Sequence, residues 1–437
     1  MKRNVIKILI PILFAAILFT GCALARTITS TLYSSAGQTV DTEEIITNTP
    51  AAAVVTAPAE ETEIISAVSD SRTSDAEESS GAFSARDLSA EYDDETITVQ
   101  LTGSGAVADS DKVSVSGSNV VITGSGTYLL YGPLENGSII VDASKEDKVQ
   151  LVLSGVSIHS DSYAAIYVKQ ADKVFVTLAA GTQNALSNGG SFTQQDENNV
   201  DAVIFAKDDL TLNGTGSLSI ESPAGHGIVG KDEVTITGGI YEITAARCAI
   251  RANDSIAIAG GTFTLTAGTD GLHAENDDDD TLGNIYIAGG TFTIRAEDDA
   301  IHANTLLQID DGDFAITGAE GLEATYIQIN GGDISISASD DGVNAALKST
   351  AYTPTVEING GTLTVVMGSG DTDGIDSNGN LIINGGTVDI TGQSAVDYDG
   401  AGQYNGGVII INGQQVSSLP NQMMGGGMMG GGKGWRG

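Results

Sequence analysis

Short runs of alternating apolar and polar residues recur along most of the chain. They read "TGGIYEITA" at 237, "AGGTFTLTA" at 259, "AGGTFTIRA" at 288, "DDGDFAITG" at 310, "NGGDISISA" at 330, "NGGTLTVVM" at 359 and "NGGTVDITG" at 384. Ile, Leu, Val or Phe fills alternate positions, as a strand with one buried face requires. Successive starts lie 22, 29, 22, 20, 29 and 25 residues apart. Each unit carries a second run ("CAIRA", "DGLHA", "DAIHA", "EGLEA", "DGVNA", "DGIDS"), and most carry a third ("SIAIAG", "NIYIAG", "YIQING", "NLIING"). Three short strands in roughly 22 residues describe one coil of a right-handed parallel β-helix, an all-β solenoid. No single coil buries its apolar face alone, whereas stacked coils share a continuous core. The Gly-Gly pairs mark sharp corners. The longer intervals are coils with inserted loops, and "DDDDTLGN" is one of these. Residues 95 to 230 repeat less cleanly. Their runs, from "ETITVQL" to "DLTLNG", still have coil size and read as the first coils of the same solenoid.

The ends differ in composition. Residues 1–22 read as a bacterial lipoprotein signal peptide, with basic "MKRNVIK", apolar "ILIPILFAAILF" and then "LFTGC", ending at the lipidation residue Cys22. Phe19 stands where Leu is usual. A secretory signal cleaved near Ala25 and an uncleaved anchor are the alternatives, and all three export the protein. Residues 23–90, rich in Thr, Ser, Ala and Glu, read as a flexible tether to the membrane. The β-helix domain is expected over 91–417, and the Gly/Met-rich residues 418–437 as a disordered tail. Four Met residues there could bind a soft metal such as Cu(I), but a flexible end is the commoner meaning. The remaining cysteine, Cys248, excludes a disulfide framework and reads as a small core residue.

Charge narrows the function. With 57 acidic and 19 basic residues the net charge is −38, which repels nucleic acid and suits an extracellular protein or a cation binder. Stacked coils place equivalent residues about 4.8 Å apart. In the second runs one column then reads Asp201, His226, Cys248, Asp270, Asp299, Glu320, Asp341 and Asp373. Three places on, a second column reads Arg251, His273, His302, Glu323, Asn344, Asp376 and Asp397, and is expected to face solvent. Neighbouring carboxylates at this spacing repel by roughly 3 to 4 kcal/mol at an effective dielectric of 20, and about 1 in bulk water. They must protonate, splay apart or share cations. Carboxylates with Asn and backbone carbonyls are hard oxygen ligands that suit Ca²⁺. Calcium is therefore the expected cofactor, with Asp270, Asp298, Asp299, Glu320, Asp340, Asp341, Asp371 and Asp373 as candidate ligands. A solvated acidic edge that deters strand aggregation is the competing reading. The outer residues His273, His302, Glu323, Asn344 and Asp376 form a candidate glycan-facing column. Zn²⁺ on the stacked pair His273 and His302 would need a third N or S ligand, which the sequence does not place nearby.

Catalytic patterns are sparse. "GHGIVGKD" at 225 has phosphate-loop spacing, but Asp232 replaces Ser or Thr and a strand follows instead of a helix. Paired carboxylates are too abundant for any pair to mark a glycosidase. A pectate-type lyase needs Ca²⁺ and a basic residue to abstract a proton. Between 252 and 432 the basic residues of Lys and Arg type are Arg295 and Lys348, so Lys348 is the candidate base.

The stretches "GTYLLYGPLENGSIIVDA", "VQLVLSGVSI", "AAIYVKQADKVFVTLAAGTQNALS", "DAVIFAKDDLTLNGTGSLSI" and the later "GG…DGL.A" coils carry a resemblance. Over about residues 97 to 415 the chain resembles the bacterial carbohydrate-binding-domain family typified by a clostridial cellulose- and acid-sugar-binding β-helix protein. The resemblance implies a right-handed parallel β-helix, bound Ca²⁺ and polysaccharide binding at the cell surface, with no established catalytic role. "CAIRA" departs from the usual "DGI" corner, which puts a cation site there in doubt. The expected protein is an extracellular, membrane-anchored, monomeric, Ca²⁺-dependent polysaccharide binder of cellulose or acidic glycans. A Ca²⁺-dependent lyase and a structural adhesion solenoid are the alternatives.

Overall fold

The computed structural model describes residues 82–92, 95–369 and 372–420. The signal peptide with Cys22, residues 23–81, Asp371 and the tail from 421 lie outside the described residues. Every element among the described residues is a strand. They wind as a parallel β-helix with three walls per coil.

The third wall shows the packing most plainly. Strands Ile240–Ala245, Thr262–Ala267, Thr291–Ala296, Asp313–Gly318, Asp333–Ala338, Thr362–Met367 and Thr387–Thr391 pair in parallel, each with the next. Side chains alternate between solvent and core along each. Their inward positions therefore stack as like on like. Tyr241, Phe263, Phe292 and Phe314 form one buried column, with ring centroids 5.2, 4.7 and 4.6 Å apart. One hydrophobic core runs from Val99 to Ile409, so the less regular early region belongs to the same solenoid. Antiparallel pairs close both ends: Ile97–Leu101 with Ala106–Ala108, Val113–Ser116 with Asn119–Ile122, and Val408–Ile411 with Gln414–Val416. Turning the terminal strands back on themselves blunts edges that would otherwise template aggregation.

The Gly-Gly corners work as their sequence implies. The second glycine of each pair, as at Gly332 and Gly361, has a positive φ. A Cβ on Gly361 would also lie 2.6 Å from the Gly332 carbonyl oxygen of the coil before. Beside these corners the side chains of Asn330, Asn359, Asn384 and Asn405 hydrogen-bond in series at 2.7 to 2.8 Å.

Three segments outside the repeat fasten the coils. The tether was expected to run to residue 90, yet residues 82–90 lie against the solenoid. Buried Asp87 accepts hydrogen bonds from Thr211 Oγ1 at 2.6 Å and pairs with Lys173 at 2.9 Å, while its carbonyl accepts from Thr237 Oγ1. Arg86 lies 4.5 Å over the Phe175 ring. The two inserted loops, 275–283 and 346–354, also meet. Asp280 accepts from Thr350 Oγ1 at 2.6 Å through its carboxylate and from Ser349 Oγ through its carbonyl. The acidic tract is thus partly a loop-to-loop fastener, and it holds the loop that carries Lys348.

Candidate functional site

The two columns expected from the repeat lie on one wall. Its strands include Ile250–Ala252, Leu272–Ala274, Asp299–Ile309, Glu320–Ile329, Val343–Ala345, Asp373–Ser377 and Ser394–Tyr398. Arg251, His273, His302, Glu323, Asn344, Asp376 and Asp397 face one another in register, each with the next. In the first column Asp299 pairs with Glu320, and Asp373 with Ser394. One placement fails: Ala202, not Asp201, stands opposite His226. The loop before Ala202–Ala206 brings that strand in one residue out of the spacing assumed.

The second column does not simply face solvent. His302 is 8% exposed and Glu323 5%, while His273, Asn344 and Asp376 are half-buried. The reason is lateral bonding between the columns. Asp270 Oδ2 lies 2.8 Å from His273 Nδ1. His302 Nδ1 lies 2.8 Å from Asp299 Oδ2 and 2.6 Å from Glu323 Oε2. Lys348 Nζ reaches Glu323 Oε1 at 2.7 Å. Burial works against charge on His302, but hydrogen bonds to Asp299 and Glu323 outweigh it and hold the imidazole up at about 10. Asp270 is likewise held below the ordinary carboxylate range despite its burial, by His273. Glu320, by contrast, is pushed up to about 8 by burial and by the charges of Glu323 and Asp299. It accepts the Asn344 side-chain N–H at 3.0 Å.

The rungs beyond Glu323 are different. Asp376 is pushed up to about 6 by burial and by Asp341, Asp373, Asp397 and Asp399 around it. No Lys, Arg or His occurs from 349 to 432. Asp341 Oδ1 accepts the Asp373 backbone N–H at 2.8 Å, and Ser394 Oγ bonds Asp373. Asn344 Oδ1 and Asp397 Oδ1, on the rungs either side of Asp376, are buried oxygen atoms with no hydrogen-bond partner among the described residues.

Among the sequence candidates for Ca²⁺, Asp270 and Asp299 are therefore engaged by imidazoles. Asp298 and Asp340 are exposed at the corner, and Asp371 lies outside the described residues. Asp341 and Asp373 sit among the all-oxygen rungs with Asn344, Asp376 and Asp397. That set of carboxylates and one amide carbonyl is the hard donor chemistry Ca²⁺ takes. The mixed set around His302 is not, because its ring nitrogen is committed to two carboxylates.

Sequence reasoning missed one participant. Cys248 is buried, as a core residue would be, but its Sγ lies 3.4 Å from Asp270 Oδ2 and 3.2 Å from Thr269 Oγ1. The sulfur ligand thought absent near His273 is therefore present. The signal was there, since Cys248 precedes Asp270 in the first column.

A family model for carbohydrate-binding domain-containing proteins matches residues 116–372 and 320–418, well over half of the chain. The chain belongs to this family. A carbohydrate-binding domain-containing protein of Acetivibrio thermocellus is 37% identical over 137 residues, 31% of this chain and 48% of that protein. The match thus spans about half the length of that relative. The solved polysaccharide lyase-like protein from C. thermocellum, as a gadolinium derivative, aligns with 33% identity and a TM-score of 0.49, covering 55% of this chain and 94% of that one. Within this carbohydrate-binding domain protein, the wall built from the second runs carries buried Asp270, Asp299, His302 and Glu323.

Proposed function

We propose that the chain is a Ca²⁺-dependent polysaccharide-binding protein of the cell surface, without a catalytic role. The ion is held on the rungs of Asp341, Asn344, Asp373, Asp376 and Asp397. The observation that carries this reading is the pair of buried, unpartnered oxygens, Asn344 Oδ1 and Asp397 Oδ1, flanking Asp376. Divalent cations between these rungs would give each oxygen a partner and offset the repulsion that raises Asp376. Because Ca²⁺ takes six to eight oxygen ligands, sugar oxygens can complete its shell. Such an ion would also bridge a chain of net charge −38 to an acidic glycan such as polygalacturonate. Family membership supports the carbohydrate class of ligand. Lipidation at Cys22 would anchor the protein outside the cell.

Lys348 supports the non-catalytic reading. A lysine base works best with its pKa brought down toward the operating pH. Burial alone would lower Lys348, but its bond to Glu323 outweighs this and raises it. The residue is a charged partner of the ladder. Retention on insoluble cellulose and on pectate, with Ca²⁺ and with chelator, tests the proposal. Retention on at least one glycan that chelator abolishes is expected. Absence of retention on both in Ca²⁺, or release of unsaturated uronides absorbing in the ultraviolet, would overturn it.

A further inference from the structure

We propose that Cys248, Asp270 and His273 form a zinc site, separate from the calcium rungs. Their ligand atoms, one sulfur, one oxygen and one nitrogen, all lie within 4.8 Å of one another. Cys248 Sγ is 3.4 Å and His273 Nδ1 2.8 Å from the same Asp270 Oδ2. A tetrahedral Zn²⁺ with Zn–S about 2.3 Å and Zn–N and Zn–O about 2.0 Å separates S from O by roughly 3.5 Å and N from O by roughly 3.3 Å. The sulfur and oxygen already stand at this spacing. The imidazole and carboxylate need to part by about half an ångström, within reach of a small side-chain rotation.

The backbone fixes the three residues. Ala249 N donates to Asp270 O at 3.0 Å, which locks the Cys248 coil onto the next. His273 lies on the strand Leu272–Ala274, in register with Arg251. The outer shell is also that of a metal site. Ligating histidines usually give their second ring N–H to a carboxylate, which fixes tautomer and ring orientation. His273 Nε2 lies 3.1 Å from Glu275 Oε2, and Arg251 Nη2 lies 3.4 Å from the same oxygen. The His273 side chain keeps 13% exposure, so water can take a fourth position.

The chemistry selects the metal. Thiolate and imidazole suit borderline-soft Zn²⁺ and not Ca²⁺. Binding forms the S–Zn bond and releases the Cys248 thiol proton to solvent, with no oxidant or reductant involved. The atoms of Asp299, His302 and Glu323 also lie within 4.8 Å of one another. That set lacks sulfur, and its His302 Nδ1 is already shared between Asp299 and Glu323 at 2.8 and 2.6 Å.

Titration of the full chain with CoCl₂ tests the site, in a Cys22→Ala background that leaves Cys248 as the remaining thiol. One Co²⁺ per chain is expected, with a near-ultraviolet thiolate-to-cobalt band and visible bands of a tetrahedral ion. Zn²⁺ should displace it and excess Ca²⁺ should not. Cys248→Ser should remove the near-ultraviolet band. His273→Ala, with the thiol intact, should weaken binding by more than about tenfold, and Glu275→Gln by roughly tenfold. Absence of the band in the parent chain, which needs no variant to fold, overturns the proposal. So does a band of unchanged affinity in both His273→Ala and Asp270→Asn.

Discussion

On the rungs from Arg251 to Glu323, three carboxylates of the wall have cationic or imidazole partners, and the fourth, Glu320, is raised to about 8 beside Asn344. Asp270 meets His273, Asp299 and Glu323 share His302, and Glu323 also holds Lys348. On the rungs from Asn344 to Asp397 the chain offers amide and hydroxyl groups, and no basic residue occurs between 349 and 432. The wall, strand spacing and register are the same in both. The difference teaches that stacking creates the repulsion, whereas the residues inserted between the carboxylates decide how it is relieved. One half is neutralised from within. The other has the donors, and the unmet oxygens, to take a cation from outside.

This comparison predicts opposite responses to substitution. The largest effect belongs to the internally neutralised half. Glu323→Ala leaves buried His302 and its partner Lys348 without their shared carboxylate, and should cost about 3 to 5 kcal/mol in urea unfolding. A loss below about 1 kcal/mol would show that His302 sheds its proton at little cost. In the other half, Asp376→Asn should stabilise the chelator-treated protein by about 1 kcal/mol, the repulsion expected of neighbouring carboxylates in water. Destabilisation in chelator would mean that Asp376 is needed as a hydrogen-bonding anion and not crowded by its neighbours.

The pH dependence sharpens the contrast. His302 is raised from 6.5 to about 10 in the fold. Its contribution is therefore complete below about pH 6.5 and is lost as pH rises through 10. The melting-temperature gap between wild type and His302→Gln should narrow steadily from pH 6.5 to 10, and a constant gap would contradict the protonated assignment. Asp376, raised from 3.8 to about 6, gives a contribution present below 3.8 and lost as pH rises through 6. The smallest effect is expected for Lys348→Ala. Its side chain is 35% exposed, so it should cost about 1 kcal/mol or less and leave glycan retention unchanged.

Much of this wall was legible in the sequence because a solenoid turns spacing into contact. From His226 onward the repeat places each residue above its equivalent in the next coil, and the glycine corners announce themselves. Contacts across a rung were not legible. Whether Asp299 faces Glu320 or bends toward His302 depends on side-chain rotation, which spacing does not encode. Cys248 was placed in the column that continues through Asp270 but read there as a small core residue and not as a sulfur donor beside His273. Non-repeating segments were hidden for a related reason. The docking of Asp87 on Thr211 and Thr237, and of Ser349 on Asp280, joins residues far apart in sequence and outside any period.

Calcium titration of chelator-treated protein by calorimetry, comparing wild type, Asp376→Asn and His302→Gln, tests the division of the ladder most directly. Saturable Ca²⁺ binding should appear in wild type and His302→Gln and weaken at least about tenfold in Asp376→Asn, as loss of a charged ligand implies. Wild type that binds no Ca²⁺, or Asp376→Asn that binds it as tightly as wild type, would contradict the account.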